Sequence, residues 1–197
     1  MTVEESQYQY DGLVERTGCS KAKDTLDCLR KLDVEVIAKN NINMVTPGAK
    51  STPVFMYSNV VEGPGGFTEE YTYSAFAAGK FVKVPVMFGY VLFLSLLTML
   101  TIHRSVTNEG TIFTPSNLET VQDMNSFLKD NWVKLTTGQL KQIDDFYPQD
   151  KTKYPNKGAY WKTAATAYGE FRYNCPAVFM NKMVQNHTKG DANWHYQ

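Results

Sequence analysis

The stretch FVKVPVMFGYVLFLSLLTMLTIHRSVTNEGTIF, Phe81 to Phe113, decides how this chain is read. Its first part is apolar and β-branched, and predicts a strand over Pro85–Phe88; a parallel-sheet strand covered on both faces has this unbroken apolar look. The apolar character then overruns any ordinary strand. From Val84 to Ile102 the chain runs nineteen residues without a charge, with Lys83 before them and His103 and Arg104 after. That length is near the roughly 20 residues that span a bilayer. The stretch closes on the polar turn Thr107-Asn108-Glu109-Gly110. Taken alone, a carboxylate there reads as a solvated turn residue.

Upstream, the pattern predicts a helix over Glu4–Val14, with Tyr8, Leu13 and Val14 inward and Gly18 stopping it. Further helices are expected over Ala22–Arg30, carrying Leu26 and Leu29, and over Val34–Lys39. After an Asn-, Pro- and Gly-rich loop, Val54–Val61 (VFMYSNVV) reads as a second strand, ended by Glu62-Gly63-Pro64-Gly65-Gly66. Downstream the chain is helical. Ser116-x-x-Glu119 reads as a capping box for a helix bearing Leu118, Val121, Met124, Phe127 and Leu128. Thr136-x-x-Gln139 caps another, bearing Leu140, Ile143 and Phe146. Trp161, Ala164, Ala165, Tyr168 and Phe171 mark a third. Asn174 and Pro176 suit the cap and first turn of a fourth, which turns Val178, Phe179 and Met183 inward. The last residues begin a new strand at Trp194. Helices alternating with a few buried strands indicate an α/β protein.

The 197 residues suffice for one ordinary domain, and 43% hydrophobic with 20% charged residues is a globular balance. Twenty basic and twenty acidic side chains cancel, which gives a nucleic-acid partner no electrostatic support. Three cysteines without a CxxC pair and three scattered histidines offer no zinc-like spacing, and no cofactor motif is present. The N-terminal MTVEESQYQYDG lacks a basic region followed by an apolar one, so it does not read as a signal peptide.

Five segments, in order, resemble type-B carboxylesterases, the cholinesterase and fungal lipase family. They are RTGCSKAKDTLDCLRKL (Arg16 to Leu32), SNVVEGPGG (Ser58 to Gly66), AAGKFVKVPVMFG (Ala77 to Gly89) leading to TNEGTIF, YGEFRYNCPA (Tyr168 to Ala177) and the closing NWHYQ. Ser58-Asn59 and Glu62 depart from the family's Pro-Val-Val-Asp-Gly strand end. The resemblance implies an incomplete α/β-hydrolase fold over residues 1–197: the later part of the sheet with its helical excursions. It also implies a disulfide between Cys19 and Cys28, a buried and free Cys175, and an ester substrate for the complete family member. Members are mostly secreted.

By the same resemblance Glu109 is the acid of a Ser, Asp/Glu, His triad. A carboxylate on a turn after a buried strand can accept the imidazole Nδ1–H, fix its tautomer and stabilise the imidazolium. The other two members have no counterpart here. No glycine opens a Gly-x-Ser-x-Gly elbow; Gly18-Cys19-Ser20 fails because Ala22 takes the last place. Gly63-Pro64-Gly65-Gly66 reads as a plain turn and not as an oxyanion loop. His195 lies inside the strand motif, His187 belongs to the glycosylation triplet Asn186-His187-Thr188, and His103 lies in the apolar run. The expectation is a fragment of a serine hydrolase of carboxylic esters, inactive alone because nucleophile, base and oxyanion donors are missing. The rivals are a non-catalytic cholinesterase-like interaction module and a single-pass membrane protein.

Residues 90–105 match nothing in the family. Removing Tyr90–Ser105 gives VPVMFGVTNEGTIF and restores the family's spacing between strand and acid turn. A membrane span over 84–102, a helical insertion and read-through of a retained intron all account for the run. The restored motif favours read-through. A membrane partner follows only if 84–102 is a true span.

Overall fold

The computed structural model describes residues 1–89, 110–188 and 193–196. Their contacts divide the chain into two units, Met1–Thr72 and Tyr73–Gln197.

The first unit is organised by α1 (Val3–Arg16). Thr2 and Glu5 form a capping box: the Thr2 hydroxyl accepts from the Glu5 N–H, and the Glu5 carboxylate accepts from the Thr2 N–H at 2.9 Å. At the other end Gly18 adopts φ +77°, the left-handed conformation glycine takes without a Cβ penalty. The chain then makes a 3₁₀ turn at Cys19–Lys21 and enters α2 (Thr25–Arg30), capped by Asp24, and α3 (Val34–Asn40), capped by Asp33. Helix α2 starts three residues later than its apolar pattern suggests, because Asp24 takes the Asp27 N–H on its side chain. Val14, Cys19 and Leu29 form the buried cluster, with Tyr10, Leu13, Cys28 and Leu32 packed on it. Leu26 stays largely exposed.

The expected strand at Val54–Val61 does not form. The segment is extended, with Met56 buried and Phe55 and Tyr57 turned outward, so the two-residue alternation is real. Its ladder is missing: among the described residues the segment makes one bridge, Thr2 to Val61, and the Met56 carbonyl accepts from the Gln9 side chain at 3.0 Å. Apolar alternation specifies a strand only where a neighbouring backbone supplies the partners.

In the second unit α4 (Thr72–Ala77) leads through Gly79 to β1 (Val86–Gly89), within a residue of the strand expected from the sequence. β1 pairs in parallel with β2 (Asn193–Tyr196), Val86 opposite Asn193 and Gly89 opposite Tyr196. Between them lie α5 (Gly110–Phe113), α6 (Val121–Asn131), α7 (Thr137–Phe146), α8 (Trp161–Gly169) and α9 (Cys175–His187). The core is built on α8, where Ala164, Ala165 and Ala167 are fully buried and let α5 and α6 approach closely. Tyr168 packs against the rings of Phe127 and Trp132, at 5.2 and 5.3 Å, and against Phe113 at 6.4 Å.

Three local expectations are corrected here. Helix α6 is capped by Thr120 with Asp123, not by Ser116 with Glu119. The earlier residues are held in pairing, with the Ser116 and Leu118 carbonyls accepting from Gly158 and Tyr160 and the Glu119 carboxylate accepting from the Ala159 N–H. The Thr136–Gln139 box forms as read. There is no fresh N-cap at Asn174: α8 runs into α9 through a π turn, Glu170–Asn174, in which the Cys175 N–H reaches back to Glu170. Pro176 lies just beyond this widened turn; a proline ring crowds the carbonyl four residues earlier, here Arg172, and a π turn relieves that conflict without ending the helix. Val178 and Phe179, expected inward, are exposed, as are Phe146 and Phe171 of the apolar patterns.

Among the described residues no helix is long and apolar enough to cross a membrane. The apolar run over residues 90–105 lies outside the described residues, as does most of 84–102.

Candidate active site

The two parallel strands bring their carboxyl ends side by side, at Gly89 of β1 and Tyr196 of β2. In sheets of this kind ligands bind beyond the carboxyl ends of the strands. The chain that leaves β1 reappears at Gly110, immediately after the candidate acid. Glu109 itself lies outside the described residues, as does His103.

Gly110 is buried where α5 meets α8. A Cβ built on it would lie 1.9 Å from the Ala165 carbonyl oxygen and 2.8 Å from the Gly169 nitrogen. Only a residue without a side chain fits between these backbones. The Gly110 carbonyl is fixed as well, accepting from the Thr114 N–H at 3.1 Å and from the buried Thr114 hydroxyl at 2.8 Å. One residue beyond Glu109, then, the backbone is clamped from both sides. Phe113, at the end of this short helix, stacks on Tyr173 at 6.1 Å. Burial, with Tyr173 nearby, pushes the Tyr168 phenol up to about 12.

The remaining candidates separate cleanly. Cys19 and Cys28 are bonded, with Cα atoms 5.8 Å apart, and Cys19 is fully buried. Cys175 is free, as expected, but exposed and not buried: it opens α9 directly after the π turn, on a side that no described element covers. Desolvation of its thiol, and then the Glu170 carboxylate, push its pKa above the ordinary value, which is the opposite of an activated nucleophile. His187 has a packing role: its Nε2 lies 3.0 Å from the Ala77 carbonyl and its ring meets Phe81 edge-on at 6.0 Å. His195 falls inside β2, opposite Phe88. The glycine run is a turn whose donors are taken: Gly66 N–H reaches the Gly63 carbonyl, Gly65 N–H the Glu69 carboxylate, and Phe67 N–H the Glu62 carboxylate. It has no free pair of N–H groups to offer an oxyanion.

Sequence reasoning missed an apolar groove of about 460 Å³, lined in part by Leu135, Ile143, Phe146, Tyr147, Phe171 and Cys175. At its edge the Tyr147 hydroxyl donates to Glu170 at 2.5 Å, and desolvation with that partner raises the Tyr147 pKa. The signal was present in the exposed Phe146 and Phe171, but their helical spacing imitates a core stripe.

No family model matches the chain. Its relatives are nevertheless consistent. Lipase 5 of Diutina rugosa is 28% identical over 148 residues, covering 73% of this chain and 24% of that protein. Secreted lipase 4 of Gibberella zeae is 30% identical over 187 residues, covering 85% of this chain and 29% of that protein. The crystal structure of Aspergillus niger EstA superposes with a TM-score of 0.82 at 31% identity, over 99% of this chain and 34% of that one. The chain therefore belongs to a fungal lipase/carboxylesterase-like family. It spans about a third or less of the length of the relatives it matches.

Proposed function

We propose that the chain is the later part of a type-B carboxylesterase or lipase, a serine hydrolase of carboxylic esters built on the α/β-hydrolase fold. In this reading residues 1–197 are a partial hydrolase domain, residues 90–105 are an insertion foreign to it, and Glu109 is the triad acid. Glu109 would orient the catalytic histidine and stabilise its imidazolium while a serine elsewhere in the complete enzyme forms the acyl intermediate. The observation that carries the reading is the likeness to EstA across nearly the whole chain. The clamp on Gly110 supports it, because a triad acid must be held to a fraction of an ångström and this backbone is fixed one residue away. The 197 residues alone contain no Gly-x-Ser-x-Gly elbow, so they are expected to be inactive.

The test joins this chain, with Tyr90–Ser105 removed, to the missing upstream and downstream portions of a relative. The joined protein should hydrolyse p-nitrophenyl esters and label with a fluorophosphonate. Glu109→Gln should lower kcat by about 10⁴-fold, the cost of the wrong histidine tautomer in a serine triad. The 197-residue chain alone should do neither. Labelling of a serine in the isolated chain, or full activity of the Glu109→Gln variant, overturns the assignment.

A further inference from the structure

Asn186-His187-Thr188 is the sole Asn-x-Ser/Thr triplet in the sequence, and the structure gives its three residues different fates. Asn186 is exposed on the last turn of α9, so its carboxamide is open to carry a bulky polar group. Thr188 is buried; its hydroxyl donates to the Val184 carbonyl at 2.9 Å and its N–H reaches the same carbonyl at 3.0 Å. His187, between them, is held by the Ala77 carbonyl and Phe81. An acceptor triplet must present its hydroxyl to be recognised, and here folding turns that hydroxyl inward. The Cys19–Cys28 bond is an independent observation, since disulfides persist in the oxidising secretory compartment where such triplets are modified.

We propose that Asn186 is an N-glycan acceptor, modified on the growing chain before the last turn of α9 closes. The donor class is a lipid-linked oligosaccharide. The Asn186 Nδ2 forms a bond to the anomeric carbon, the carbon–oxygen bond to the lipid diphosphate breaks, and the amide proton leaves with the diphosphate or to solvent. Once folded, the chain exposes the carboxamide but withholds the hydroxyl, so the site is readable only early.

The chain is translated behind a cleavable secretion leader in the presence of microsomes. A mass gain of one oligosaccharide is expected, removed by an amide-cleaving endoglycosidase. It should be absent from Asn186→Gln and Thr188→Ala and kept in Thr188→Ser. A second acceptor triplet added at the N-terminus reports translocation separately; its occupancy with Asn186 left bare overturns the proposal. For the order of events, solubilised transferase is offered either the folded chain or a peptide covering residues 181–189, too short to hold a helix in water. The peptide should react at least tenfold faster, and equal rates refute modification before folding.

Discussion

Gly110→Ala tests the clamp beside the acid turn. The added Cβ would sit 1.9 Å from the Ala165 oxygen and 2.8 and 2.9 Å from the Gly169 nitrogen and the Ala165 carbon. All three are backbone atoms of α8, fully surrounded by core, so no side-chain rotation relieves the overlap. Overpacking of this sort costs about 1–3 kcal/mol, and rigid backbone neighbours place this case at the upper end. Alanine's better helix propensity offsets up to about 1 kcal/mol. The net loss is therefore about 2 kcal/mol, or a fall of roughly 6–10 °C in Tm for a unit of this size. Gly138→Ala is the matched control: it lies in the first turn of α7 with nothing within 4 Å of its Cβ, so the same substitution should be neutral or stabilise by up to about 1 kcal/mol. Urea titrations followed by tryptophan fluorescence measure both. If Gly110→Ala unfolds at the same urea concentration as the parent, α5 does not rest on α8 as described and the clamp fails.

Three further outcomes follow from the same geometry. Thr120→Ala should destabilise by about 1 kcal/mol in urea titration, whereas Ser116→Ala should stay within about 0.5 kcal/mol, because Thr120 and not Ser116 caps α6. Replacing Cys19 and Cys28 together by serine should cost about 2–3 kcal/mol, from a loop with a sequence separation of 9, measured with the parent kept oxidised. The Tyr168 phenol is raised to about 12 from an ordinary value near 10, so its neutral form stabilises the fold fully below about pH 10 and that contribution is lost as pH rises towards 12. Tyr168→Phe should flatten the fall in stability over this window, and an unchanged alkaline profile would show that the ring is not buried as described.

Much of the local structure was legible in the sequence, for identifiable reasons. Helix α1 and its glycine stop, the Thr136 box and the position of β1 depend on residues within one or two turns of each other, and the sequence displays those directly. The errors arose where a distant segment competes for the same groups. Ser116-x-x-Glu119 has the composition of a cap, yet its carbonyls and carboxylate are engaged by residues some forty positions later. Val54–Val61 has the composition of a strand but, among the described residues, makes one bridge and no ladder. The resemblance pointed to Glu109, but the need for glycine at 110 comes from the closeness of α8, which no local pattern reveals.

The misplaced apolar residues share a cause under the proposed reading. Parallel strands are ordinarily covered on both faces, and a parallel pair standing alone is a poor structure. Here Met87 of β1 is 65% exposed, and Val82 and Val84 just before it are exposed too. Val178 and Phe179 of α9 are likewise open, on a helix whose packing includes both strands. Sequence patterns report what a residue is meant to bury against, whether or not that surface is present. A chain matching a third or less of its relatives' length should show this mismatch wherever its core continues into the remainder. The exposed apolar residues around β1 and α9 then mark where the remaining sheet would lie. On that argument they should become protected from hydrogen exchange when the missing portions are joined, while the cluster around Val14, Cys19 and Leu29, already closed, should not change.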